Sequence, residues 1–219
     1  LFDIDGTLVS TGGAGKAAMD AALAEAFGVS RPIVPGSMSG RTDRGIARDQ
    51  FALHGIDDTP ENWQRLIDGY VRHLPRYLAE RPGTVLPGIG EVLELLSKTN
   101  VSLGLLTGNV PDGARIKLTH YRLMHYFAFG SYGDRHLTRD EIAHEALRLA
   151  RERVHPECCG PELLVIGDTP LDVQCARAIG ARVAAVATGI HSLDELAATR
   201  PDVLLADLSD PAPLLALIG

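Results

Sequence analysis

At 219 residues, with 45% hydrophobic content and a mean hydropathy near zero, the chain can bury a sizeable core, as one domain or as a domain carrying a smaller insertion. A formal net charge of −7 leaves no basic field for a polyanionic backbone, and no Lys/Arg run makes a local one, which excludes nucleic acid and anionic membrane surfaces as expected partners. Cys158, Cys159 and Cys175 lack metal-ligand spacing and no apolar stretch reaches the ~20 residues of a membrane span, so the expectation is free thiols in the cytoplasm.

Only Leu1 and Phe2 precede the Asp3-Ile4-Asp5-Gly6-Thr7 segment, where a strand normally takes about five residues; the natural chain is expected to begin a few residues earlier. From about Thr11 to Arg81 the pattern is helical throughout. Helices are expected over 14–27, stopped by Gly28, over 43–54, with Thr42 as N-cap and Gly55 as stop, and over 60–80, with Pro60 at the first position and a kink at Pro75. Gly12-Gly13 and Arg81-Pro82-Gly83 flank this stretch as hinges. Trp63, Tyr70 and Tyr77, seven apart, read as one packing face. Gly12 to Lys16 suggests a phosphate-binding P-loop, but that spacing puts Ser10 at the first glycine and Ala17 at the final hydroxyl position.

Beyond residue 82 the pattern alternates. Helices are expected over 88–98, 111–122, 139–153, 170–179 and 192–198, and apolar strands over 101–106, 127–130, 163–166, 182–187 and 203–205. Such alternation predicts a parallel α/β sheet, whose reactive groups gather past the carboxyl ends of its strands.

Four polar pieces fall at such ends. Asp3 and Asp5, at i and i+2 of an extended segment, leave on one side and suit a shared metal or a nucleophile beside an acid–base group. Thr107-Gly108-Asn109 offers a hydroxyl, exposed backbone N–H groups and a following helix start, a cradle for phosphate. A cation, Lys117 or Arg139, can offset charge on a transferring phosphoryl group. Asp168 and Asp172 in Gly167-Asp168-Thr169-Pro170-Leu171-Asp172 suit a hard metal such as magnesium and an outer partner.

Phe-Asp-Ile-Asp-Gly-Thr-Leu at 2–8, the Thr107 motif and Gly-Asp-Thr-Pro-Leu-Asp at 167–172 resemble the motifs of the haloacid dehalogenase-like hydrolase superfamily, and the likeness covers essentially the whole chain. The resemblance implies a Rossmann-like core of 1–11 and 82–219 with an all-helical cap, 12–81, inserted after the first strand. It implies Asp3 as a covalent nucleophile and Asp5 as acid and then base. Magnesium would be held by Asp3, the Asp5 carbonyl and Asp168, with Asp172 in or beside the shell, and phosphate by Thr107 and the backbone around Gly108 and Asn109. Many relatives place a Lys-Pro pair where Arg139-Asp140 stands here. Lys117 is the favoured third-motif cation, with Arg139 as the alternative. In the cap, Arg41 and Thr42 are the candidate substrate contacts.

The resulting expectation is a magnesium-dependent phosphatase of the phosphoglycolate phosphatase-like kind, acting on a small phosphorylated metabolite. The alternatives are a phosphomutase similar to beta-phosphoglucomutase and a non-catalytic binding or regulatory protein on the same fold. A dehalogenase is disfavoured by Asp5.

Overall fold

The structure, a computed structural model, describes residues 1–32 and 38–218. Of the insertion expected over 12–81, residues 33–37 lie outside the described residues. In chain order the elements are β1 (Val9–Ser10), α1 (Ala14–Phe27), α2 (Asp43–His54), α3 (Pro60–Glu80), β2 (Thr84–Val85), α4 (Ile89–Ser97), β3 (Gly104–Leu106) and α5 (Pro111–His120). They continue with β4 (Phe129–Ser131), α6 (Arg139–Arg153), β5 (Leu164–Gly167), α7 (Pro170–Ala178), β6 (Arg182–Val186), α8 (Leu193–Ala198), β7 (Val203–Leu205) and α9 (Ala212–Leu215).

β4 pairs β3, β5 pairs β6 and β6 pairs β7, all parallel. Phe2 bridges the two groups, lying parallel to Leu105 on one side and to Ile166 on the other. Its N–H donates to Gly104 O at 2.9 Å, and the Asp3 N–H donates to Ile166 O at 3.0 Å, so the segment leading into Asp3 occupies the centre of the sheet. Buried strands alternate faces with period two. Phe2, Leu105, Ile166, Ala184 and Val186 pack with α4, α5 and α9 on one side. Leu106, Val165, Val183 and Ala185 pack with α6, α7 and α8 on the other. Because both faces are covered, the strands read as continuous apolar runs. The strand expected over 101–106 narrows to Gly104–Leu106, since its partner β4 offers only Phe129–Ser131.

Between β1 and β2 the chain runs out into α1, α2 and α3. Local signals set their ends: Thr42 accepts from Gly45 N as N-cap of α2, Thr59 accepts from Asn62 N ahead of Pro60, and Gly28 and Gly55 close α1 and α2 in the left-handed region. α3 continues through Pro75 to Glu80. These helices bury a third cluster, Ala18, Met19, Ala22, Leu23, Phe51, Leu66, Tyr70 and Leu74, to which α5 adds Val110 from its N-cap. The two connections meet at β1 and β2, which pair antiparallel as Val9↔Val85 and Ser10↔Thr84. Gly12 and Gly13 have φ of 59° and 79°, and a Cβ on Gly12 would lie 2.3 Å from the Pro82 carbonyl oxygen, so the outgoing and returning chains cross in contact.

Candidate active site

Loops following Phe2, β3, β5 and β6 converge at the carboxyl edge of the sheet. Asp3 and Asp168 are there, 4% and 1% exposed, and Asp172 follows on the first turn of α7, fully buried. Each of the three offers a carboxylate oxygen within 4.8 Å of the others. Gly6 turns the chain under this group, since a Cβ there would lie 2.4 Å from an Asp168 oxygen. The Thr7 hydroxyl donates to Asp168 Oδ1 at 3.0 Å.

Arg139, on the first turn of α6, is buried among these acids. Its Nη2 is 3.0 Å from Asp3 Oδ1, and Nε and Nη2 both donate to Asp172 Oδ1. Asp172 Oδ2 accepts from the Thr169 N–H at 3.0 Å and the Thr169 hydroxyl at 2.7 Å. Asp172 is therefore both the capping partner of α7 and the anchor of Arg139. Three carboxylates face one guanidinium. Burial pushes Asp168 up to about 8, reinforced by Asp172 and Asp3. Burial also pushes Asp3 up to about 6, with Arg139 opposing. The donor set fits a hard divalent cation: buried oxygens, converging, with an excess of negative charge that such an ion would offset.

A second group forms two residues away. Lys117, 3% exposed on α5, donates to Asp5 Oδ2 at 2.6 Å and to Asn109 Oδ1 at 2.6 Å. Asn109 Nδ2 donates to Asp5 Oδ2 at 2.8 Å and to Thr107 Oγ1 at 2.9 Å. Burial disfavours the ammonium, but Asp5, Tyr70 and Asp43 outweigh it and hold the lysine raised. Of the two candidate third-motif cations, the favoured Lys117 is aimed by the helical phase of α5 at Asp5, and the alternative, Arg139, is the one beside Asp3. Thr107 is completely buried beneath the cavity wall formed by Gly108 and Asn109.

A cavity of about 380 Å³ opens above both groups. Asp3, Asp5, Asn109, Lys117 and Arg139 line its floor. The insertion supplies much of the remaining wall through Lys16, Met19, Met38, Arg41, Asp43, Ile46 and Tyr70, and Ile190 adds to it from the loop after β6. The start of α2 is tied to the loops after β3 and β4 by three hydrogen bonds. Asp43 N–H donates to Gly108 O at 2.7 Å, Arg44 N–H to Gly133 O at 3.0 Å, and the Val110 N–H to Asp43 Oδ2 at 2.8 Å. A Cβ on Gly108 would lie 2.0 Å from the Arg41 carbonyl oxygen, so this glycine admits the overlying loop. Arg41 lines the cavity, with Nη2 paired to Asp49 at 2.5 Å. Thr42 does not: it is 1% exposed, and its hydroxyl accepts from Gly45 N and donates to Leu137 O at 3.2 Å. That uses up the group expected to touch substrate, because the N-cap position turns it into the helix end.

Residues that sequence reading did not single out also belong here. Asp43, half-buried and facing the cavity, is pushed by burial up to about 6 against the pull of Lys117. Tyr70, assigned to packing by its spacing from Trp63 and Tyr77, carries its hydroxyl to Lys117. The only signal available in the chain was that a buried tyrosine hydroxyl needs a partner.

Residues 1–186 match the family described as haloacid dehalogenase-like hydrolase. Among curated relatives, a protein of Dickeya dadantii named "Probable phosphatase IndB" is 29% identical over 220 residues, covering 96% of this chain and 90% of that one. A phosphoglycolate phosphatase of Salmonella typhimurium is 28% identical over 242 residues, covering 99% and 91%. Among solved structures, a hydrolase from Pseudomonas syringae superposes with a TM-score of 0.71 at 24% identity, covering 100% of this chain and 97% of that one. Among the described residues, no helix is long and apolar enough to cross a membrane.

Proposed function

The chain belongs to the haloacid dehalogenase-like hydrolases, and on that premise we propose that it is a magnesium-dependent phosphatase of a small phosphorylated metabolite, working through a phosphoaspartate on Asp3. The observation that carries this reading is the buried trio Asp3, Asp168 and Asp172 with a single guanidinium among them.

In this reading an Asp3 oxygen attacks phosphorus, the bond from phosphorus to the leaving oxygen breaks, and Asp5 delivers a proton to that oxygen. Water then attacks the same phosphorus, Asp5 takes its proton, and the bond to Asp3 breaks to release phosphate. Asp3, the Asp5 carbonyl and Asp168 would hold magnesium, which when bound offsets the repulsion between an anionic nucleophile and an anionic ester. Asp172, with both oxygens engaged, acts beside that shell by fixing Arg139, and Arg139 receives a phosphoryl oxygen next to Asp3. Thr107 and the backbone of Gly108 and Asn109 receive the others. The inserted helices α1, α2 and α3 act as a lid over the 380 Å³ cavity, which suits a small substrate shielded from water. The phosphatase names of the Dickeya and Salmonella relatives support the same activity.

The test is phosphate release from p-nitrophenyl phosphate and from a panel of phosphorylated metabolites, with magnesium and with EDTA. Release with magnesium that EDTA abolishes is the expected result. Equal release in EDTA overturns the metal assignment, and rearrangement of a sugar phosphate without net release would favour the mutase instead.

A further inference from the structure

An ammonium has three protons to donate. On Lys117 they go to Asp5 Oδ2 at 2.6 Å, to Asn109 Oδ1 at 2.6 Å and to the Tyr70 hydroxyl. None remains for a substrate oxygen. Asn109 closes the ring, because its amide nitrogen donates to the same Asp5 oxygen at 2.8 Å. Asp5, whose side chain is 41% exposed to the cavity, is therefore gripped on one oxygen by two donors and keeps the other for chemistry.

The space around this ammonium is made by absences. Gly113 sits on α5 one turn before Lys117 and on the same face, and a Cβ there would lie 2.8 Å from the Tyr70 ring and 3.1 Å from its hydroxyl. Gly15, inside α1, would with a Cβ approach the Lys117 nitrogen at 3.2 Å. Glycine inside a helix is unfavourable relative to alanine, and here two helices carry it where Tyr70 and Lys117 meet. Across the chain the contributors are Asp5 from the catalytic loop, Asn109 from the phosphate loop, Lys117 from α5, and Tyr70 and Asp43 from the inserted helices.

We propose that Lys117 is a positioning residue for Asp5 and not a ligand of the phosphoryl group, and that Tyr70 completes its shell, so that the inserted helices help to set the acid–base carboxylate. This rests on the acid–base reading of Asp5 given above. It separates two tasks that one cation could have shared: Arg139 attends the phosphoryl group at Asp3, and Lys117 attends proton transfer at Asp5.

The two tasks respond differently to the leaving group. p-Nitrophenolate departs with little help from an acid, whereas an alkyl alkoxide needs a proton. Tyr70→Phe, Gly113→Ala and Lys117→Met are compared with the unmodified enzyme on p-nitrophenyl phosphate and on an alkyl phosphate, with inorganic phosphate as competitive inhibitor. Tyr70→Phe keeps the ring over Gly113 and removes one oxygen, and Gly113→Ala displaces the tyrosine without touching the catalytic loop, so the outcome does not depend on Lys117→Met folding. In both, kcat/KM on the alkyl ester, which reports the steps up to leaving-group departure and not the shared breakdown of the phosphoaspartate, is expected to fall about tenfold, with a fall of less than about threefold on p-nitrophenyl phosphate. The inhibition constant of phosphate stays within about twofold. Equal falls on the two esters, or phosphate inhibition weakened tenfold by loss of Lys117, would overturn the proposal. Asp5→Asn keeps the two failures apart: if it shows no leaving-group discrimination while the unmodified enzyme is active, the acid–base reading itself is wrong. An unmodified enzyme inactive on both esters would remove that reading and this inference together.

Discussion

Two buried cations serve two aspartates two residues apart, and they do so in different company. Arg139 is surrounded by groups from the sheet edge: Asp3 after Phe2 and Asp172 on α7. Lys117 is surrounded by Asp5 and Asn109 on one side and by Tyr70 and Asp43 of the inserted helices on the other. The first cluster is built entirely from elements of one sheet and its helices, and is fixed whenever they fold. The second is shared between two packing units, so its geometry depends on how α2 and α3 sit against α5. A site assembled this way can keep its charge-bearing floor constant while the roof adjusts to the substrate.

Substitutions can break this contrast, beginning with the largest effect. Asp3→Asn is expected to lower phosphatase kcat by on the order of 10³-fold or more, because the amide is not a nucleophile, as measured by steady-state phosphate release. A variant retaining full activity would move the nucleophile elsewhere. Arg139→Met strands Asp3 and Asp172 without their guanidinium and is expected to destabilise the metal-free protein by about 3–5 kcal/mol in urea unfolding. Lys117→Met should cost less, since the partly exposed Asp5 regains water; equal losses would erase the distinction between the clusters.

Asp43 tests the shared cluster through pH. Its folded value of about 6 lies above the ordinary 3.8, so the native state prefers the protonated acid. The associated stability is present below about pH 4 and is lost as pH rises through 6. Asp43→Asn keeps an acceptor for the Val110 N–H and does not ionise. Its stability relative to the unmodified protein should therefore increase between pH 4 and 7, by on the order of 2–3 kcal/mol, followed by thermal unfolding across that range. A flat difference would show that folding leaves the Asp43 carboxyl at its ordinary value. The smallest effect is expected at Thr42→Ala, about 1 kcal/mol of stability from the lost cap, with KM changed less than by Arg41→Ala. A KM change at Thr42 larger than at Arg41 would return Thr42 to the substrate.

What the sequence revealed follows the range of the interactions involved. The ends of α1, α2 and α3 were legible because Gly28, Thr42, Gly55 and Pro60 act within a few residues of themselves. Asp3, Asp5, Asp168 and Asp172 were legible as acids at the ends of apolar runs, and the structure brings Asp3, Asp168 and Asp172 together in one buried cluster. β1 and β2 were not, since two residues each carry no periodicity and exist only through their pairing. The choice between Lys117 and Arg139 stayed open for a similar reason: both are cations on helices, and which aspartate each reaches depends on the rotation of α5 and α6 against the sheet. Tyr70 and Asp43 were hidden further still, because their partners lie 47 and 67 residues away, Lys117 for the one and Val110 for the other.

The antiparallel pairing of Ser10 with Thr84 has an architectural corollary. Two residues so paired can be joined directly by a two-residue hairpin turn. The chain thus carries a natural splice point, at which everything from Thr11 to Gly83 could be excised or exchanged for another module while the sheet keeps its connectivity. The excised piece would take Tyr70 with it and leave Val110 and Lys117 facing water, so a replacement module would have to bring both a greasy patch for the one and an oxygen for the other.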